Sequence, residues 1–236
     1  MSSRAGQKQA ARVVRDQIAR ENRRRRTLWT SAIAVAAIVI AGLIGWGVYA
    51  SQSSGEVVPP PNATATTGIT VGSGPVTVEV YEDFICPACK AFEDQSGQTL
   101  DELVAANKVK IVYTPLGFLD QQSSTDYSTR AAAASACADE GGKFREYAEA
   151  LFARQPAEGS AGLSDGELVS IGTSVGLSES SFRQCVDDGK YKPWVGSITN
   201  AASAAGVNQT PTVKVDGQQV TDLTPAGLNA AVNAAA

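Results

Sequence analysis

Two cysteines, Cys86 and Cys89, stand where a strand-like run gives way to a helix-like one, and this junction constrains the chain more than any other feature. Val76 to Tyr81 alternates as Val-Thr-Val-Glu-Val-Tyr, the period-two pattern of a half-buried strand. Pro87 follows the first cysteine, and proline is favoured in the first turn of a helix. Pro87 to about Ala106 therefore reads as a helix, with Gly97 a candidate kink, and Val109 to Tyr113 as the next strand. That order implies a parallel strand pair joined by a right-handed crossover. Two thiols at this spacing, at the mouth of a helix, can close a disulfide and open it again. Helix N-terminal N–H groups and the helix dipole stabilise a thiolate there, which makes Cys86 the expected nucleophile.

The same spacing also serves as half of a zinc site. Among the 236 residues there is no histidine, and the other two cysteines are Cys137 and Cys185. They lie 48 positions apart with no knuckle around them, so a redox pair is favoured and no metal is expected. The missing histidine also excludes Ser-His-Asp and Cys-His activation of a nucleophile by this chain alone.

Charge divides the chain. Residues 1–27 carry nine Lys/Arg against two Asp/Glu, and the remainder eleven against twenty-two. Leu28 to Ala50 contains no charged residue, and its 23 residues would span roughly 34 Å as a helix, enough to cross a bilayer. Trp29, Trp46 and Tyr49 lie near its ends, where aromatic side chains favour the interface. The basic tail is expected to set topology rather than bind nucleic acid, keeping the N-terminus cytoplasmic and the acidic body outside. The basic region and apolar run are long for a cleaved signal peptide, so an uncleaved anchor is expected. Ser51 to Thr67, with Pro59-Pro60-Pro61, reads as a spacer too poor in apolar residues to fold. Asn62-Ala63-Thr64 is a weak glycosylation sequon.

The folded part is expected over residues 68–236. Ile69 to Val71 reads as a short first strand. From about Thr125 to Gly206 the pattern is helical: an alanine-rich run over Arg130 to Glu140, then Phe144, Tyr147, Leu151 and Phe152 at helical spacing. Ser164 and Glu167 form a capping box, Ser178 is a candidate cap, and a last helix covers about Trp194 to Ala205. Thr212 to Val215 and Gln218 to Thr221 flank Asp216-Gly217, a strong hairpin signal, and Thr224-Pro225 opens a final helix.

Three features together resemble the DsbA-like branch of the thioredoxin superfamily: Tyr81-Glu82-Asp83-Phe84 leading into Cys86-Pro87-Ala88-Cys89, the helical block, and Thr210-Pro211 before a strand. The resemblance implies an α/β thioredoxin fold with an inserted all-helical domain, preceded here by one transmembrane helix. The anchor and the second cysteine pair are similar to the membrane-anchored type of Gram-positive actinobacteria. The implied activity is that of a thiol:disulfide oxidoreductase, a dithiol oxidase that introduces disulfides into exported proteins. Cys86 would be the attacking sulfur and Cys89 its buried partner. Pro87 and Ala88 would complete the motif, and Thr210 and Pro211 would form a cis-proline loop that binds substrate peptide. No cofactor beyond the redox-active disulfide is implied. The implied partners are reduced exported proteins and a quinone-linked membrane reoxidase, of DsbB or vitamin-K-epoxide-reductase-like type.

Cys137 and Cys185 are expected to pair in a structural disulfide, worth roughly 4 kcal/mol for a loop of this size. A relay with Cys86 and Cys89 is the alternative. Trp194, Phe118 and Tyr127 either line a peptide groove or fill the core. Two departures from the family bear on direction: Ala88 stands where many DsbA proteins have histidine, and Val80 where thioredoxin-like proteins often bury an acid. Glu82 or Asp83 could substitute for that acid, or lie solvated at the strand end. A reductase or isomerase of the same fold, and a non-catalytic peptide-binding module, are the competing readings.

Overall fold

The computed structural model describes residues 57–236. The basic tail, the Leu28–Ala50 span and the first part of the spacer lie outside the described residues. Among the described residues no helix is long and apolar enough to cross a membrane.

The alternating run over 76–82 forms the centre of the sheet. Strand β2, Val76–Glu82, buries Val76, Val78, Val80 and Glu82 on one face and leaves Thr77, Glu79 and Tyr81 half-buried on the other. The first strand, β1, is Ile69–Gly72, and β3 is Val109–Pro115. Helix α1, Pro87–Ala105, connects β2 to β3, which pair in parallel from Val76↔Val109 to Glu82↔Pro115. Strand β4, Thr212–Val215, lies antiparallel to β2 on its other side. Strand β5, Gln218–Gln219, closes the order β1-β3-β2-β4-β5. It is shorter than the expected Gln218–Thr221, although Val220 N still donates to Val213 O at 2.9 Å. The turn that joins β4 to β5 holds Asp216 at φ +45° and Gly217 at φ +79°, left-handed values that Asp-Gly tolerates.

Five helices follow β3: α2 Tyr127–Glu140, α3 Phe144–Ala153, α4 Asp165–Ser174, α5 Glu179–Asp187 and α6 Lys192–Ala204. The alanines of α2 are buried on nearly every side, since small side chains let neighbouring helices approach closely. Helix α2 starts earlier than the alanine run, with Asp126 at φ +50° and Tyr127 N donating to Ser123 Oγ at 2.7 Å. The capping box on α4 forms as expected: Glu167 N donates to Ser164 Oγ at 3.3 Å and Ser164 N to Glu167 Oε2 at 2.8 Å. Ser178 holds the N-cap position of α5 but makes no side-chain cap bond. Helix α7, Pro225–Ala235, is capped by Thr224, whose Oγ1 accepts from Gly227 N at 3.2 Å.

Helix α1 runs through Gly97 without a break. Gly97 lies where Arg145 of α3 crosses α1, and a Cβ there would stand 2.6 Å from Glu93 Oε1 and 3.0 Å from Arg145 Nη2. Arg145 pairs with Glu93 through Nη2 and with Asp101 through Nε at 2.7 Å, fastening the helical block to α1.

The end of the expected spacer is fastened too. Asn62 donates from its backbone N and its Nδ2 to Asp139, both at 2.9 Å. Trp194 Nε1 donates to Thr64 O at 2.9 Å, and Ser197 Oγ to Ala65 O at 2.7 Å. Polar donors and acceptors, with the buried Pro60 and with Ala63 packed against the core, hold this segment, and partners this far away in the chain leave no mark on composition. The amide of the sequon residue Asn62 is thus already engaged. Trp194 and Tyr127 are fully buried, so both belong to the core. Phe118 is half-buried against Leu116, Ala202 and Val207.

Candidate functional site

Strand β2 ends at Glu82, and the turn Asp83–Cys86 carries the chain into α1. Cys86 is the N-cap residue, with extended backbone and no side-chain cap hydrogen bond, and its sulfur lies at the first turn of α1. Cys86 and Cys89 are both free thiols and both buried, whereas Pro87 and Ala88 between them are exposed.

The loop before β4 meets this turn. Thr210-Pro211 is a cis peptide, and Cys86 Sγ donates to the Thr210 carbonyl at 3.5 Å. Residues 124 positions apart are thus brought together, as the sequence resemblance implied.

The two thiols differ sharply. Hydrogen bonding from the Cys89 side chain foremost lowers the Cys86 thiol to about 5; burial opposes it, and the Thr210 side chain and the N–H groups of Cys89 and Ala88 add to the lowering. Burial pushes the Cys89 thiol far up, and the neighbouring Cys86 sulfur adds to it. Cys86 is therefore the sulfur that ionises first, giving up on ionising the bond that its thiol donates to Thr210 O, and Cys89 stays a thiol. Lys90 pairs with Asp94 at 2.9 Å on the exposed side of α1.

Both acids before the motif are buried, which overturns a solvated strand-end role. Asp83 Oδ1 accepts from Ile85 N at 3.1 Å and Oδ2 from Leu119 N at 3.0 Å, so one carboxylate holds the redox turn and the segment after β3. Burial raises its carboxyl to about 6. Asp83 N donates to Cys89 Sγ at 3.5 Å. Glu82 points into the interior, and its Oε1 has no hydrogen-bond partner. Burial first, then the Glu93 carboxylate, pushes Glu82 up to about 8, and Arg145 opposes this.

One residue that sequence reading missed reaches the motif from the helical block. Gln155, just beyond α3, donates from Nε2 to Phe84 O at 3.1 Å and to Cys86 O at 2.9 Å. No local pattern marks a glutamine 69 positions from its target. For Glu82 and Asp83 a signal did exist: two adjacent acids at the end of a strand whose alternate residues are all core.

Cys137 and Cys185 form a disulfide between α2 and α5, with Cα atoms 5.9 Å apart. They are therefore not available as zinc thiolates. Among the described residues no group of three or more Cys, Asp or Glu is placed to hold a metal ion.

Comparison with known proteins agrees with this geometry. Residues 64–234 match the family model described as thioredoxin. The chain belongs to the thioredoxin family. Within it, this thioredoxin-family protein resembles the reduced disulfide bond oxidoreductase DsbG of Mycobacterium tuberculosis, at 34% identity and TM-score 0.63, over 70% of this chain and 85% of that one. It likewise resembles reduced DsbA of Mycobacterium tuberculosis, at 32% identity and TM-score 0.64, over 71% of this chain and 91% of that one. This similarity to thiol-disulfide oxidoreductases supports an oxidoreductase activity. The chain is also 34% identical over 165 residues to the serine/threonine-protein kinase PknE of Mycobacterium tuberculosis, covering 65% of this chain. It spans less than a third, 29%, of the length of that relative.

Proposed function

We propose that this thioredoxin-family protein is an extracytoplasmic dithiol oxidase, tethered by Leu28–Ala50, that introduces disulfides into exported proteins. The observation that carries the reading is the contrast between the two thiols: Cys86 is lowered to about 5 at the mouth of α1 while Cys89 is pushed up behind it. A stabilised Cys86 thiolate stabilises the reduced pair, and that makes the disulfide form an oxidant.

In the oxidised protein a substrate thiolate attacks Cys86 Sγ. The substrate–Cys86 bond forms, the Cys86–Cys89 bond breaks, and Cys89 leaves and takes up a proton. A second substrate thiolate then attacks the substrate sulfur of the mixed disulfide and expels Cys86 as its thiolate. The substrate gains one disulfide, and its two electrons rest on the Cys86–Cys89 dithiol. Thr210-Pro211, beside Cys86, would hold the substrate chain in extended form through backbone hydrogen bonds. A quinone-linked membrane partner of DsbB or vitamin-K-epoxide-reductase-like type would accept the electrons. The pair itself is the redox group, so no bound cofactor is required.

The test incubates reduced, unfolded substrate protein with the oxidised protein, with Cys86→Ser as control. No gain of disulfides over the control removes the reading. A reduction potential near that of thioredoxin would reverse its direction to reductase.

A further inference from the structure

The turn that carries Cys86 is held from outside the thioredoxin fold. Gln155 follows α3 in the helical block, and its one amide nitrogen supplies both donors, to Phe84 O at 3.1 Å and to Cys86 O at 2.9 Å. Among the described residues no backbone N–H outside regular structure reaches the Phe84 carbonyl. Phe84 is itself fully buried, so the amide satisfies an acceptor that water does not reach. The Cys86 carbonyl also accepts from Cys89 N at 3.1 Å and Lys90 N at 3.2 Å, and is the first acceptor of α1. Three residues before Gln155, the Phe152 ring packs on the Phe84 ring with centroids 5.0 Å apart. Side chain and carbonyls of the turn are thus gripped together by the end of α3.

We propose that Gln155 is a positioning residue for the redox pair: its amide clamps the Phe84 and Cys86 carbonyls and so fixes where the Cys86 sulfur stands against Thr210 and the first turn of α1. The inference rests on the reading of Cys86 as the reactive sulfur, and extends it by naming what tunes that sulfur. The physical route has two parts. The Phe84–Ile85 and Cys86–Pro87 peptide units are set by the clamp, and they determine how squarely the sulfur faces the N–H groups of Ala88 and Cys89. Two donated hydrogen bonds also draw electron density from carbonyl oxygens close to the thiolate, which lowers the cost of its charge. Gln155 is half-buried, so a longer side chain at this position can still reach solvent.

The test compares Gln155→Leu, which keeps size but donates nothing, with Gln155→Lys, which keeps donors to the two carbonyls and adds positive charge. Thiolate absorbance at 240 nm is followed against pH in the full-length protein, with Cys86→Ser to assign the signal. The ratio of reduced to oxidised pair is measured against glutathione. Gln155→Leu should move the Cys86 titration up by about one unit and make the disulfide about tenfold less oxidising, which is about 30 mV for this couple. Gln155→Lys should leave both unchanged or shift them the other way. If the two variants move the titration equally, or neither moves it while the thermal midpoint falls, the amide serves packing only and the proposal is wrong. Should Gln155→Leu fail to fold, a Gln155→Lys titration that rises as far as one unit overturns the proposal by itself, and one that stays or falls supports it. The thiolate titration is followed at Cys86 and needs no substrate, so it reads out even if the protein proves to be a reductase. A failed substrate oxidation with a normal titration shift would refute the oxidase reading and leave the clamp standing.

Discussion

Replacing Cys86 by alanine should turn a nearly flat pH profile of stability into a falling one. In the protein reduced at the pair, two buried groups titrate in opposite senses. The Cys86 thiol is lowered from an ordinary value of 9.0 to about 5. A depressed folded value contributes stability that is present above the unfolded value and lost as pH falls through the folded one. Glu82 is raised from 4.5 to about 8. Its contribution is complete below 4.5 and is lost as pH rises through 8. At about 1.4 kcal/mol per pH unit, each slope amounts to about 2 kcal/mol between pH 6 and 8, with the Cys86 share discounted for the part of the sulfur that faces solvent. The two nearly cancel in the native protein. Asp83, raised to about 6, adds its own fall mainly below this window. Cys86 is not among the groups that act on Glu82, so Cys86→Ala removes the rise and leaves the fall. The assay is urea unfolding by tryptophan fluorescence at pH 6, 7 and 8. The protein is taken with Cys86 and Cys89 as free thiols and Cys137–Cys185 closed, a state checked by thiol counting before unfolding. Parallel profiles for the native protein and Cys86→Ala would refute the reasoning, because they would mean that the thiolate gains nothing from its fold.

Cys137→Ser with Cys185→Ser should lower unfolding free energy by about 4 kcal/mol, the value for closing a loop of this separation; an unchanged denaturation midpoint would show that the disulfide constrains nothing in the unfolded chain. Arg145→Met should cost about 3 kcal/mol at pH 7, because it strands the buried Glu93 carboxylate. That deficit should shrink at pH 5, where Glu93 protonates more readily without its partner, and an equal deficit at both pH values would point to lost packing instead.

The parts that were legible in the sequence are those governed by neighbours in the chain. Cys86-Pro87-Ala88-Cys89 at a strand-to-helix junction, the Ser164–Glu167 box, the Thr224 cap and the Asp216-Gly217 turn all depend on residues within about one helical turn of each other. Each therefore leaves a pattern that spacing alone reveals. Gly97 shows the limit of such reasoning: glycine inside a helix suggests a kink, but here it makes room for Arg145, a residue of another helix.

Composition and local pattern by themselves determined that the chain holds a redox-type cysteine pair, strands of period two and a helical block, because alternation, capping and turn chemistry are short-range. Only the tertiary structure decided how that pair is tuned. It buried Glu82 and Asp83, set Thr210 at 3.5 Å from the Cys86 sulfur, fastened Asn62 to Asp139 and brought Gln155 to the Cys86 carbonyl. Those contacts join residues far apart in the chain, and desolvation depends on everything packed around a group, so no stretch of sequence carries them by itself.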